Sequence, residues 1–261
     1  MGILNITPDS FSDGGQFFQL DESLKQAEHL ILSGADILDI GGESSRPGAD
    51  IVTESEEQQR IIPVIEAIRK QSDVPISVDT VKASVAKVSL KAGANWINDI
   101  SALRDDAQMA TLLAESQASV VLMHRAGTPQ QSYQDFEYDD FIEDIKSFLL
   151  ERVEFALSAG IKKENIMLDP GVGFGKTALQ NCEILNQLDA LKSLGYPILI
   201  GTSRKSFIGK LLNVPMDHRL PSTIVSNLMA VQNGADIVRV HDVAETQQAM
   251  MMMRYILGDV S

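Results

Sequence analysis

Polar side chains stand where the chain's short apolar runs stop. Segments rich in Ile and Val end in Asn5, Asp39, Asp79, Asn98, His124, Asp169, the stretch Ser203 to Lys205, Arg239 and His241. Strand ends are often polar simply because they meet water. This set is too uneven in type for that alone, because carboxylates, carboxamides, cations and imidazoles together make a ligand-reading set. Arg239 and His241 alternate along one run and so point to one face of a strand. Two donors side by side suit a diphosphate, which Arg can grip bidentately; an ion pair of Arg239 with Asp236 or Asp242 is the competing expectation. Lys205 lies where an apolar run hands over to a helical pattern, so it offers a cation beside the free N–H groups of a helix start. Asn5 supplies an oxygen ligand suited to Mg²⁺, which usually keeps several waters and takes substrate phosphate oxygens.

The elements that must position these groups repeat with one period. The runs are GILN (2–5), DILDIG (36–41), PISVD (75–79), WIND (96–99), SVVLMH (119–124), NIMLD (165–169), PILIG (197–201) and DIVRVH (236–241). Between them the spacing is helical, as in Phe141, Ile145, Phe148, Arg152 and Ala156. Ser33-Gly34-Ala35-Asp36, Lys91-Ala92-Gly93-Ala94-Asn95 and Asn233-Gly234-Ala235-Asp236 each read as a helix-terminal glycine feeding a strand. Strands alternating with helices predict a parallel sheet, and eight of them an α/β fold of the closed (β/α)₈ TIM-barrel type, a single domain over residues 1–261. An open doubly wound sheet is the alternative, but the dinucleotide fingerprint common after its first strand is absent. In a barrel the polar strand ends converge on one rim, where such folds place their active sites.

Composition narrows the partners. The chain has 261 residues, 44% of them hydrophobic and only 5% aromatic, which suits an aliphatic core around a sheet. A formal charge of −14 provides no basic stripe for nucleic acid, although a small anionic substrate needs only a few local cations. The lone Cys182 makes no internal disulfide and fits a reducing compartment. Met1 leads straight into an apolar run with no leader-like segment, and no membrane association is expected, so a cytoplasmic location is predicted.

The segments MGILNITPDSFSDGG (1–15) and SGADILDIGGESSRPGA (33–49) resemble the two signature segments of the dihydropteroate synthases. The likeness continues through PISVDT (75–80), WINDI (96–100), VLMH (121–124), LDPGVGFGK (168–176), GTSRKSFIG (201–209) and IVRVHD (237–242). It implies a (β/α)₈ barrel that joins 6-hydroxymethyl-7,8-dihydropterin diphosphate to p-aminobenzoate, releasing pyrophosphate and forming 7,8-dihydropteroate by a dissociative, SN1-like path. By the resemblance Asp79, Asn98, Met123 and Asp169 meet the pterin, and Lys205 holds its oxygen. Arg239 and His241 take the diphosphate, while Ser206 receives the carboxylate of p-aminobenzoate. Phe174 and Pro47 wall its ring, Arg46 helps seat the second substrate, Ser45 on the same loop binds substrate, and Asn5 with Asp13 holds Mg²⁺. A homodimer through outer helices is likewise implied.

The segments PDSFSDGG (8–15) and GESSRPGAD (42–50), with Phe11, Asp13, Ser45, Arg46 and Pro47, read as loops that close over the rim and exclude water. The family usually has Thr where Ser45 stands, and Arg125 and Ala126 depart from its usual run after Met123. A non-catalytic pterin-binding barrel and a pterin-dependent methyltransferase are the alternative functions. Pro170 to Thr177 reads as a near miss of a phosphate-binding P-loop, with Pro170 in place of the first glycine. A Schiff-base role for Lys205 and a glycosidase pair of Asp79 and Asp169 lack further support in the sequence. Met250 to Met253 reads as a packing face and His124 as a satisfied rim residue rather than a zinc ligand.

Overall fold

Eight short runs become strands, as the spacing predicts. The structure, a computed structural model, describes residues 1–6, 16–44, 52–127 and 138–258, and for 16–19 the backbone alone. Strand β1 (Gly2–Asn5) is followed by helix α1 (Gln16–Leu32), β2 (Leu38–Gly41), α2 (Glu54–Arg69), β3 (Ile76–Asp79), α3 (Ala83–Ala92) and β4 (Trp96–Asp99). Then come α4 (Met109–Ser116), β5 (Ser119–Met123), α5 (Phe141–Ser158), β6 (Ile166–Asp169), α6 (Ala178–Asn186) and α7 (Leu188–Lys192). The chain continues with β7 (Leu199–Ile200), α8 (Ser206–Leu212), α9 (Leu220–Gln232), β8 (Ile237–Val238) and α10 (Val243–Leu257).

Strands β1 to β6 pair in chain order as one parallel sheet, and β7 pairs with β8. Two single parallel bridges, Leu168 with Ile198 and Gly2 with Val240, join the pieces and close the ring. The second closure is firm: Ile3 N donates to Val240 O at 2.9 Å, Val240 N to Met1 O at 2.9 Å, and the Met1 amine to Val238 O at 3.0 Å. The ring is therefore a (β/α)₈ barrel, with the helices outside.

Glycines end the helices where the sequence places them. Gly34, Gly93 and Gly234 have φ of +95°, +114° and +111°, a left-handed conformation that costs a side-chain-bearing residue energy and that glycine adopts freely. Helix α5 buries Phe141, Ile142, Ile145, Leu149, Arg152, Val153 and Ala156, one stripe at helical spacing, and Asp140 caps its start. A capping box of Thr177 and Gln180 starts α6.

The barrel interior has two layers. Met1, Ile37, Val121, Met167 and Leu199, with Trp96 and Ile237, form a hydrophobic cluster separate from the large core between sheet and helices. Side chains on one face of a strand recur every second residue. Two residues after Ile37, Trp96, Val121, Met167 and Ile237 come Asp39, Asn98, Met123, Asp169 and Arg239. An apolar plug thus underlies a polar floor. Strand register sets Asn5 opposite Gly41, Gly41 opposite Asp79 and Asp79 opposite Asn98, while Met123 and Asp169 pair two residues further along, since Asn98 lies opposite Val121.

Candidate active site

On one side of the floor a single guanidinium bridges two carboxylates. Arg239 Nε donates to Asp39 Oδ2 at 2.5 Å and its Nη2 to Asp79 Oδ2 at 3.0 Å. Asp242 and Asp236, the sequence alternatives, pair instead with Arg204 and Lys192. Asn98 Nδ2 reaches Asp39 Oδ2 at 3.4 Å. Burial pushes the Asp79 carboxyl up to about 7; Arg239 pulls it down and the Asp39 charge pushes it up further. Buried acceptors without partners usually mark a functional or hydrated site, because an unmatched polar atom in the interior is costly. Asp39 Oδ1 and Asn98 Oδ1 are two such atoms.

On the other side an ammonium faces a third carboxylate. Burial lowers the Lys205 pKa to about 8, while Asp169 and Asp79 raise it and Arg239 lowers it. Burial likewise raises the Asp169 carboxyl, opposed chiefly by Lys205 and by the hydrogen bond from Gly171 N to Asp169 Oδ1 at 2.7 Å. Lys205 Nζ donates to the Val172 carbonyl and lies 4.8 Å from the centre of the Phe174 ring. Lys205 immediately precedes α8, as the sequence places it, and Ser206 is exposed at the start of that helix.

The remaining groups lie around these. His241 Nδ1 is 2.9 Å from Ser203 Oγ, which also accepts from His241 N at 3.1 Å. Asn5 is exposed at the end of β1, and Met123 is buried at the end of β5. Asp13, Ser45, Arg46, Pro47 and Phe11 lie outside the described residues. Sequence reasoning marks Asp39 as a strand end but not as a site residue; its period-2 spacing from Ile37 is the signal that could have found it. Ser203 and Lys176 were also unassigned. Lys176 is buried and bonded to His124 Nδ1 at 2.9 Å, so His124, directly after β5, is satisfied as the sequence reading has it, and its partner comes from the protein interior. Of the methionine run, Met251 and Met252 are exposed and do not pack inward.

The arrangement holds acceptors and cations in alternation at the end of a sealed barrel. It can read the hydrogen-bonding edge of a flat polar heterocycle, and unfilled partners there enforce specificity.

Comparison with known proteins fits this geometry. A family model described as pterin binding enzyme matches residues 1–241. The chain is 48% identical over 258 residues to dihydropteroate synthase of Clostridium beijerinckii, covering 98% of this chain and 93% of that one. A crystal structure of dihydropteroate synthase from Clostridium difficile, obtained in the presence of pteroic acid, matches with a TM-score of 0.92 and 49% identity over 98% of this chain and 95% of that one. The Yersinia pestis dihydropteroate synthase, solved with a sulfonamide drug complex, matches with a TM-score of 0.92 and 44% identity over 99% of this chain and 94% of that one.

Proposed function

We propose how these residues work from the premise that the chain belongs to the pterin-binding enzymes and, within them, to the dihydropteroate synthases. It is a folate-pathway transferase, joining 6-hydroxymethyl-7,8-dihydropterin diphosphate to p-aminobenzoate with release of pyrophosphate. The pterin lies on the polar floor. Asp79, Asn98 and Asp169 take its N–H donors, Met123 packs against the ring, and the Lys205 ammonium donates to its oxygen. The orphaned Asn98 Oδ1 is the observation that carries this placement, since a bound amino or amide N–H supplies its missing partner.

Arg239 and His241 face the diphosphate. With Nε and Nη2 engaged by Asp39 and Asp79, Arg239 offers the substrate chiefly Nη1, which weakens the bidentate grip expected from sequence. In return the two carboxylates fix the guanidinium plane before substrate arrives, and preorganised charge is the largest common source of catalysis. The carbon–oxygen bond to diphosphate breaks first, its electron pair leaving with pyrophosphate and the positive charge spreading over the dihydropterin. The neutral arylamine then forms the carbon–nitrogen bond and releases a proton. Ser206 and the start of α8 receive the p-aminobenzoate carboxylate, Phe174 and Pro47 flank its ring, Arg46 helps seat it, and Ser45 binds substrate from the same loop as Arg46.

Among the described residues no group of three His, Cys, Asp or Glu side chains could by itself hold a metal ion. One exposed carboxamide oxygen on the rim nevertheless fits Mg²⁺, which retains waters and accepts phosphate oxygens. Asn5 and Asp13 would hold the ion, and its chemistry would be neutralisation of charge on the departing pyrophosphate.

The partner is a second copy of the chain. Val225 and Met229 of α9 and Met251, Met252, Tyr255, Ile256 and Leu257 of α10 expose apolar surface on two neighbouring outer helices, a composition suited to a homodimer face. Among the described residues no helix is long and apolar enough to cross a membrane. The exposed single Cys182 accords with a reducing cytoplasm.

Pyrophosphate release with Mg²⁺ and both substrates tests these roles. Lys205→Ala is expected to lower turnover by about two orders of magnitude, the worth of a charged hydrogen bond in a desolvated site, with circular dichroism unchanged. Wild-type turnover by that variant would remove Lys205 from the mechanism.

A further inference from the structure

The segment Pro170 to Thr177 has the look of a phosphate loop, yet its lysine faces the other way. Lys176 is only 7% exposed, and its ammonium lies 2.9 Å from His124 Nδ1, 3.3 Å from His124 O, 3.0 Å from Gly171 O and 3.1 Å from Phe174 O. A P-loop turns its N–H groups toward an anion; here carbonyls converge on a cation supplied by the loop itself. His124 is suited to accept, because burial and the nearby Lys176 charge drive its pKa down to about 2 and keep the ring neutral.

The same loop holds Lys205. Val172 O, between two carbonyls that bind Lys176, accepts from Lys205 Nζ, and the Phe174 ring lies beside that ammonium. Glycines at alternate positions allow the path, with φ of +71°, +87° and +65° at Gly171, Gly173 and Gly175. Side chains there would displace their neighbours. A Cβ on Gly171 would lie 1.9 Å from His124 O, one on Gly173 3.0 Å from Lys205 Cδ, and one on Gly175 2.7 Å from Ala126 Cβ. The loop is therefore a partition between two ammonium groups, one internal and one facing the site.

We propose that Lys176 is a positioning residue for the reaction: its caged ammonium holds the loop between β6 and α6 so that the Val172 carbonyl and the Phe174 ring fix Lys205 where it meets the pterin. This rests on the pterin role proposed for Lys205, and it deepens that reading by assigning the support behind it.

A double-mutant cycle read by calorimetry with 6-hydroxymethylpterin, together with steady-state kinetics, tests the proposal. Lys176→Met is expected to weaken pterin binding about tenfold, the worth of one charged hydrogen bond at Lys205. KM for the pterin diphosphate should rise more than KM for p-aminobenzoate. In a Lys205→Met background the further loss should shrink to less than about twofold, because both changes remove one interaction. An equal loss in both backgrounds, or wild-type binding by Lys176→Met, overturns the proposal. Should Lys176→Met not fold, His124→Leu serves in the same cycle; it removes one acceptor, keeps the lysine, and is expected to give a smaller loss that vanishes in the same background. Wild-type binding by Lys205→Met is a distinct result, which removes the pterin role of Lys205 and with it the proposal.

Discussion

The two sides of the polar floor are built by different means. Asp39, Asp79 and Arg239 project from strands or their direct continuation, and their positions follow from sheet register and barrel closure. Asp169 also ends a strand, but its carboxylate and the Lys205 ammonium are both met by the backbone of the glycine-bearing loop that follows. Charge on the first side is balanced by charge, so removing one member leaves the others buried and unmatched. On the second side backbone dipoles share the work, and a substitution acts first on geometry. The comparison predicts large chemical effects from side-chain changes on the strand side and conformational effects from backbone changes on the loop side.

Arg239→Ala should have the largest effect. It leaves Asp39 and Asp79 facing each other without their shared cation, a loss of about 3–5 kcal/mol for a broken buried pair. Removal of the diphosphate donor adds to this, so kcat/KM should fall by at least about a thousandfold in pyrophosphate release. A fall below tenfold would mean that the guanidinium is structural.

Gly171→Ala should act through the fold. The left-handed conformation at φ +71° and a Cβ 1.9 Å from the His124 carbonyl force the backbone to move. A loss of about 2–4 kcal/mol in urea unfolding is expected. Gly195, at φ +76° with nothing within 4 Å of an added Cβ, gives the matched control; its alanine variant should lose about 1 kcal/mol, from conformation alone. Equal losses would show that the close approach of the β5 and β6 loops is unimportant.

The pH dependence separates the two sides more gently. An ionised carboxylate is acceptor-only and takes pterin N–H groups more strongly than the protonated acid, so binding should strengthen as pH rises through the Asp79 pKa of about 7. An ammonium donates only when protonated, so binding should weaken as pH rises past the Lys205 pKa of about 8. The profile of kcat/KM for the pterin diphosphate should be a narrow bell. Asp79→Asn should lose its acid limb, and Lys205→Arg should move the alkaline limb upward. An unchanged acid limb in Asp79→Asn would assign that ionisation elsewhere.

The barrel was legible because its strands repeat one pattern and its helices end on glycines that feed them. Asp79, Asn98 and Asp169 were legible for the same reason, since period-2 spacing and a common strand end place them at one end of the barrel. The partners of Arg239 were not, because Asp39 and Asp79 lie 200 and 160 residues away in sequence and only ring closure brings them near. Asp236 and Asp242, its neighbours in the chain, proved irrelevant to it. The role of Lys176 was not legible for a different reason: glycine spacing permits a tight loop but does not say whether carbonyls or N–H groups line its inner face. Asp13, Ser45, Arg46 and Pro47 belong to segments outside the described residues, and their roles rest on resemblance.

The most direct test is a crystal structure of this chain with 6-hydroxymethylpterin. The account predicts the ring on the polar floor above Val121 and Met167, with its N–H groups within hydrogen-bonding distance of Asp79, Asn98 Oδ1 and Asp169 and its oxygen at Lys205 Nζ. A ring bound elsewhere, or one that leaves Asn98 Oδ1 without a donor, would contradict it.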